Sequence, residues 1–140
     1  MEFILNGKSN RDFNFKIKKS NHLLRARKKL EFISIPGRTG DLIIDEGARE
    51  NFNLVIEGYI DGRNSSLKEL CQGLDNWLNG TTGYQVIIFD DGTVLKAVLI
   101  SEIDPVEVVK NFGELSLEFS AYKEVDWWSL YYMIKQEILN

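Results

Sequence analysis

Alternation of apolar and polar residues with a period of two constrains this chain more than any other feature of its sequence. Phe13, Phe15 and Ile17 fall on one side of the pattern and Asn14, Lys16 and Lys18 on the other, as a strand with one buried face requires. Leu115, Leu117, Phe119 and Ala121 repeat it against Glu114, Ser116, Glu118 and Ser120. Segments 2–5, 30–35, 52–60, 84–89 and 93–101 are rich in β-branched, aliphatic or aromatic side chains and are predicted as further strands. Asp90-Asp91-Gly92 turns the last two into a hairpin, because Asp and Gly accept the positive φ of a tight turn, and Asn6-Gly7 turns the first strand in the same way.

Two segments break the rhythm. Leu67, Leu70, Cys71, Leu74, Trp77 and Leu78 recur at helical spacing and predict a helix over 66–79. Ser66 and Glu69 have the spacing of a capping box, and Gly80 suits a left-handed C-terminal stop. Cys71 lies on the apolar face, where a packed, inert thiol is expected. The second segment is the end of the chain. Trp127, Leu130, Tyr131, Ile134 and Ile138 fit a short helix, and Trp128, Tyr132 and Leu139 add a second apolar stripe. Such a tail either folds back over an open edge of the body or docks on a partner chain, for which Trp and Tyr are favoured anchors. The fold class that results is mainly β: a β-sandwich or open barrel with one α-helix, followed by the short C-terminal helix.

Counting residues removes most chemistry. The 140 residues amount to one unit of core-forming composition, 44% hydrophobic. The longest apolar run, 130–134, is far short of the ~20 residues that cross a bilayer. The opening Met1-Glu2-Phe3-Ile4-Leu5-Asn6 has neither the basic region nor the apolar length of a secretory signal, so the chain is expected to stay where it is made. One cysteine, Cys71, and one histidine, His22, allow no internal disulfide and supply too few soft ligands for zinc. His22, in a polar and basic stretch without a nucleophile beside it, reads as a surface residue. Asp41, Asp45 and Glu46 lack the spacing of a calcium loop, and Asp90 with Asp91 is explained by its turn. Neither a Gly-x-Ser-x-Gly elbow nor a phosphate-binding Gly-Lys-Ser/Thr loop is present. No catalytic residue, cofactor or metal is expected.

Charge divides along the chain. The first forty residues hold ten Lys/Arg against three acids, and the remaining hundred hold seven against eighteen, within a net charge of −4. The basic density peaks at Arg25, Arg27, Lys28 and Lys29, which form either a solvated loop or a surface that attracts a neighbouring copy or another protein. Gly37-Arg38-Thr39-Gly40 matches the Gly-x-x-Gly of KH domains. Strand-like residues flank it on both sides, however, so the two glycines are expected to shape a crossing between strands, with Asp41 bonding loop amides or pairing with Arg38.

Ile35-Pro36-Gly37-Arg38-Thr39-Gly40-Asp41-Leu42 resembles the Ile-Pro-Gly-Arg-x-Gly-Asp-Leu segment of the distal tail proteins of bacteriophages with long, non-contractile tails, and of related prophages. The order of strands, motif, helix ending in Trp77-Leu78 and closing strand ending in Phe119-Ser120-Ala121-Tyr122 resembles the N-terminal domain of that family over 1–124. The resemblance implies a β-sandwich with a helix, six copies of which close into a ring at the tip of the tail tube. It implies the major tail protein and the tail-associated adsorption or lysin protein as partners, and no nucleic acid or membrane. Such a chain would be made in the bacterial host cytoplasm and reside in the virion tail tip. Arg38 and Asp41 would brace the loop or cross the subunit boundary. The aromatic tail, 125–140, has no counterpart in the family pattern. Candidate interface residues are therefore Arg25, Arg27, Lys28, Lys29, Trp127, Trp128, Tyr131 and Tyr132. The competing readings are a small carbohydrate-binding module stacking sugars on Trp127 and Trp128, and a nucleic-acid-binding barrel using the basic run from Arg25 to Lys29.

Overall fold

The structure, a computed structural model, describes residues 1–123. The C-terminal helix expected within 125–140, and with it Trp127, Trp128, Tyr131 and Tyr132, lies outside the described residues. In chain order the elements are β1 (Phe3–Leu5), β2 (Lys8–Ser9), a 3-10 turn (Asn10–Phe13), β3 (Phe15–Ser20), β4 (Lys28–Ile33), β5 (Leu42–Arg49), β6 (Phe52–Asp61), α1 (Leu67–Leu78), β7 (Gln85–Phe89), β8 (Val94–Leu99), β9 (Val106–Val109) and β10 (Phe112–Tyr122). The main sheet runs β2-β1-β7-β8-β10-β6-β3, with β9 also on β10, and every pair in it is antiparallel. β4 and β5 form a separate two-stranded sheet.

β6 and β10 are the spine, paired from Phe52↔Ala121 to Asp61↔Phe112. Their alternation sorts the faces: Leu54, Ile56, Ile60, Leu115, Leu117, Phe119 and Ala121 are buried, while Glu57, Glu114 and Glu118 point outward. The inward series on β6 is interrupted at Gly58, which sits between Leu115 and Ile17. A Cβ there would fall inside contact distance of the Lys16 carbonyl oxygen, so glycine is what lets β3 approach β6. Gly58→Ala is expected to cost about 3 kcal/mol by forcing the two backbones apart; a urea midpoint unchanged from the parent would show that β3 can shift freely.

The sheet is open, and a side chain spans the gap between its ends. Asn10 accepts a hydrogen bond at Oδ1 from the Phe3 amide (3.0 Å) and donates from Nδ2 to the Phe15 carbonyl (2.7 Å), joining β1 to β3. Buried at 1% exposure, its amide is satisfied at both ends. α1 closes the core beside it: the Trp77 ring stacks on Phe3 (5.4 Å) and Phe13 (4.9 Å), and its Nε1–H donates to the Leu5 carbonyl (2.6 Å).

Several local expectations are corrected. Phe13 belongs to the 3-10 turn, and the left-handed Asn14 (φ 53°) separates it from β3; its ring still faces the core because it rests on Trp77. Ser66 is the N-cap of α1 without a side-chain hydrogen bond, so the capping box does not form. Asn79 caps the other end, and Gly80 is not left-handed; a Cβ there would lie 2.5 Å from the Asn76 carbonyl oxygen, which is the reason for glycine. β5 extends from Leu42 to Arg49, well past the three residues 42–44 that look strand-like in sequence, and β2 and β9 go unrecognised there. Asn6 (φ 51°) and Gly7 (φ 77°) make the expected turn between β1 and β2, as does Gly92 (φ 91°) between β7 and β8.

Cys71 is half-buried against the core, and burial, reinforced by the nearby Asp104 charge, pushes its thiol above the ordinary value. Thiolate is the reactive form. Labelling of the folded chain by a thiol reagent at neutral pH is therefore expected to be at least tenfold slower than in denaturant, with pKa and shielding both contributing; equal rates would overturn this placement.

Candidate functional site

β4 and β5 stand apart from the core, and all their residues are exposed. Strands normally bury one face, yet here Leu30, Phe32, Ile33, Leu42, Ile43 and Ile44 all lie in contact with solvent, Phe32 at 59% and Ile43 at 56% exposure. The register sets out the faces. Leu30↔Asp45 and Phe32↔Ile43 share one side, and Glu31↔Ile44 and Ile33↔Leu42 share the other. Both sides of the hairpin are thus apolar toward its outer half. A lone two-stranded hairpin is marginal in water, so this one calls for cover.

The motif Ile35-Pro36-Gly37-Arg38-Thr39-Gly40-Asp41-Leu42 is the tip of that hairpin. The Arg38 amide donates to the Ile35 carbonyl (3.1 Å), closing a four-residue turn with Pro36 and Gly37 at its centre. Proline presets φ at the first central position and Gly37 supplies φ 81° at the second, the pattern of a type II turn. Gly40 turns the chain again at φ 84° before β5. Among the described residues no ion pair joins Arg38 to Asp41, so these two charges do not brace the loop to each other.

Arg25, Arg27, Lys28 and Lys29 lie at the root, remote in sequence from the tip. Arg27 reaches Glu50 and Lys28 reaches Asp45, each at 3.9 Å, so half of the basic run is offset within the chain. The root is tied by backbone and side-chain bonds: Arg49 Nη1 to the Ala26 carbonyl (2.7 Å) and the Glu50 amide to the Arg27 carbonyl (2.9 Å). Just before it, Asn21 donates to the Asn53 carbonyl and accepts from the Val55 amide, clasping β6.

His22 corrects the sequence reading most sharply. It is buried, its ring stacked on Phe89 at 4.2 Å. Nε2 lies 2.8 Å from Asp91 Oδ2 and Nδ1 lies 3.0 Å from Ser20 Oγ. The carboxylate accepts only, so Nε2–H donates to Asp91, and Nδ1 shares the other hydrogen bond with the Ser20 hydroxyl. A Ser–His–Asp contact has the composition of an acyl-transfer site, but this imidazole is enclosed and serves as a clamp between the approach to β4 and the β7–β8 turn. Burial raises the Asp91 pKa, and the hydrogen bonds from Thr93 and His22 outweigh it, so the net shift is downward. A carboxylate with a depressed pKa stabilises the fold fully above its unfolded pKa, about 3.9, and that contribution is lost as pH falls through the lower folded value. Asp91→Asn is therefore expected to flatten the stability profile of the chain below about pH 4, read from thermal melts across pH 2 to 6; an unaltered profile would remove Asp91 from the acid response.

The described surface also carries a stacked pair, Tyr59 and Phe112 (5.8 Å). Lys18 lies over Tyr59 and Arg63 over Phe112, and the Arg63–Asp61 ion pair (3.0 Å) holds the latter in place. Among the described residues no cluster of His, Cys, Asp or Glu fits a metal ion, and no helix is long and apolar enough to cross a membrane.

No protein-family model matches this chain, and no curated protein matches it. Among solved structures it is similar to the crystal structure of the SPP1 Dit protein, described as a paradigm of the hub adsorption apparatus in phages that infect Gram-positive bacteria. The TM-score is 0.68 at 15% sequence identity, over 88% of this chain and 52% of the other. The chain thus spans about half the length of that protein, and what the two share is the fold.

Proposed function

We propose that this chain is a structural part of a phage tail or phage-derived particle: a ring-forming hub at the tail tip, joining the tail tube to the adsorption apparatus, without catalysis. The hairpin carries this reading. A two-faced apolar arm, set on a fold shared with a phage hub protein and tipped by the motif that resembles the distal tail family, suits a chain that is completed by other chains. The reading takes six copies for the ring from the family resemblance, with the major tail protein on one side and an adsorption or lysin protein on the other. In this reading Arg38 and Asp41, which form no ion pair with each other, cross a subunit boundary at the hairpin tip.

Light scattering over a concentration series, with native mass spectrometry, tests this. The expected result is a six-copy species that persists in high salt, because burial of apolar surface is not screened as ion pairs are. A monomer at every concentration would overturn self-assembly. Titration with cell-wall polysaccharide addresses the carbohydrate-binding alternative, whose candidate Trp127 and Trp128 lie outside the described residues.

A further inference from the structure

A second apolar surface open to solvent lies on the main sheet, on the outward face of β1, β7 and β8. Ile4, Ile88 and Val94 stand in one row across the three strands, since Ile4 pairs with Ile88 and Ile88 with Val94. In the next row Val86 pairs with Lys96, and Lys96 with Tyr122 of β10. Tyr84, just ahead of β7, closes this face with its ring edge-on to that of Tyr122 at 4.9 Å. Ile4 and Val86 are each 45% exposed, and Tyr84 is 48% exposed. Along β6 and β10 the outward residues are different, polar or acidic for the most part, including Glu57, Glu114 and Glu118.

We propose that the segment 124–140 of the same chain covers this face. The path of the chain leads there: β10 ends at Tyr122, whose side chain already lies on the face beside Tyr84, so the segment starts at the margin of the surface that it covers. Its length is sufficient. From β10 across β8 and β7 to β1 is three strand spacings, about 14 Å. Seventeen residues reach about 25 Å even in the compact form of a helix, at about 1.5 Å per residue. Its composition suits an apolar floor, with Trp127, Trp128, Leu130, Tyr131, Tyr132 and Ile134 close together in sequence. Charge selects between the two outward surfaces that Tyr122 adjoins. Glu124, Asp126 and Glu137 outnumber Lys135, so the carboxylates along β6 and β10 repel the segment and the rows of Ile4 and Val86 do not. With the segment in place, Trp127 and Trp128 are taken up within the chain, and the hairpin is the apolar surface left for other chains. The contact lies within one copy and is independent of the ring reading.

Thiol labelling of the full chain in a Cys71→Ser background tests the contact, with Val86→Cys reporting on the face and Ile43→Cys on the hairpin. Each reporter is measured with Trp127 and Trp128 intact and with Trp127→Asp/Trp128→Asp, which removes the two largest anchors. In dilute solution the Asp pair is expected to speed labelling at Val86→Cys at least tenfold and to leave Ile43→Cys unchanged. Equal rates at Val86→Cys overturn the proposal. A gain at Ile43→Cys alone puts the segment on the hairpin and overturns it too, as does protection of Val86→Cys that appears only as concentration rises, which assigns the cover to another copy. Circular dichroism checks that the Asp pair keeps the strands; should it lose them, a bismaleimide cross-link in the chain with both tryptophans decides alone. Val86→Cys with Ser129→Cys should give a product within one chain, independent of concentration and at least tenfold more abundant than that from Ile43→Cys with Ser129→Cys. An equal or greater yield from the Ile43→Cys pair overturns the proposal.

Discussion

Trp77→Ala is expected to destabilise the chain by about 4 kcal/mol, the upper part of the range for removing a large buried aromatic. The indole is 6% exposed and holds three parts of the fold together. Its faces carry Phe3 of β1 and Phe13 of the 3-10 turn, and its N–H bonds the Leu5 carbonyl, while its backbone belongs to α1. Truncation leaves a cavity at the point where helix, turn and first strand meet and leaves that carbonyl without the indole donor. A fall in the melting temperature of about 10–15 °C should accompany it. Trp77→Phe separates the two effects, keeping a ring in the stack and losing only the donor, for about 1–2 kcal/mol. Urea denaturation followed by circular dichroism measures both. Equal losses for the two variants would mean that the hydrogen bond, not the packing, dominates.

Deleting the outer hairpin is expected to do the reverse: assembly disappears and the body keeps its stability. Leu30 faces Asp45 across the hairpin, so residues 30–44 can be replaced by Asn-Gly joining Lys29 to Asp45 with little change at the root. No residue of β4 or β5 is part of the buried core, which is why the change in unfolding free energy should stay within about 1 kcal/mol. The parent should elute as an oligomer and the deletion as a monomer of higher solubility, since an exposed two-sided apolar hairpin is also an aggregation hazard. A deletion variant that still assembles would place the contact elsewhere on the chain. One that unfolds would show that the arm supports the body.

Period-two alternation in β10 marks the strand and also tells inside from outside, because a spine strand flanked on both edges has one face on the core. In β4 and β6 the composition marks a strand, but apolar residues do not announce whether their cover is intramolecular. Leu30 and Phe32 read like the buried positions of any strand; in the fold they face solvent beside an equally exposed β5. β5 itself looks short in sequence because Asp45, Glu46 and Gly47 are poor strand formers, and they are tolerated where no sheet packs over them. Gly47 takes φ 77° there, with its amide on the Asp45 carboxylate. His22 looks like a surface residue in sequence for a related reason. Its neighbours in sequence are polar and basic, and its burial comes from Phe89 and Asp91, which are about seventy residues away.

What the sequence determined alone is what depends on neighbours within a few residues. That includes the strands of the spine, the apolar face of α1, the glycine turns at Asn6-Gly7 and Asp90-Asp91-Gly92, and the Pro36-Gly37 turn at the hairpin tip. Periodicity and turn chemistry are local, so they are legible in one dimension. Only the tertiary structure decided that Asn10 bridges the open sheet, that His22 clamps the hairpin root, that Gly58 is there for a close backbone approach, and that β4 and β5 project bare. Each of these depends on which distant segment arrives, or fails to arrive, against a side chain, and burial by a distant partner leaves no mark in the residues that it covers.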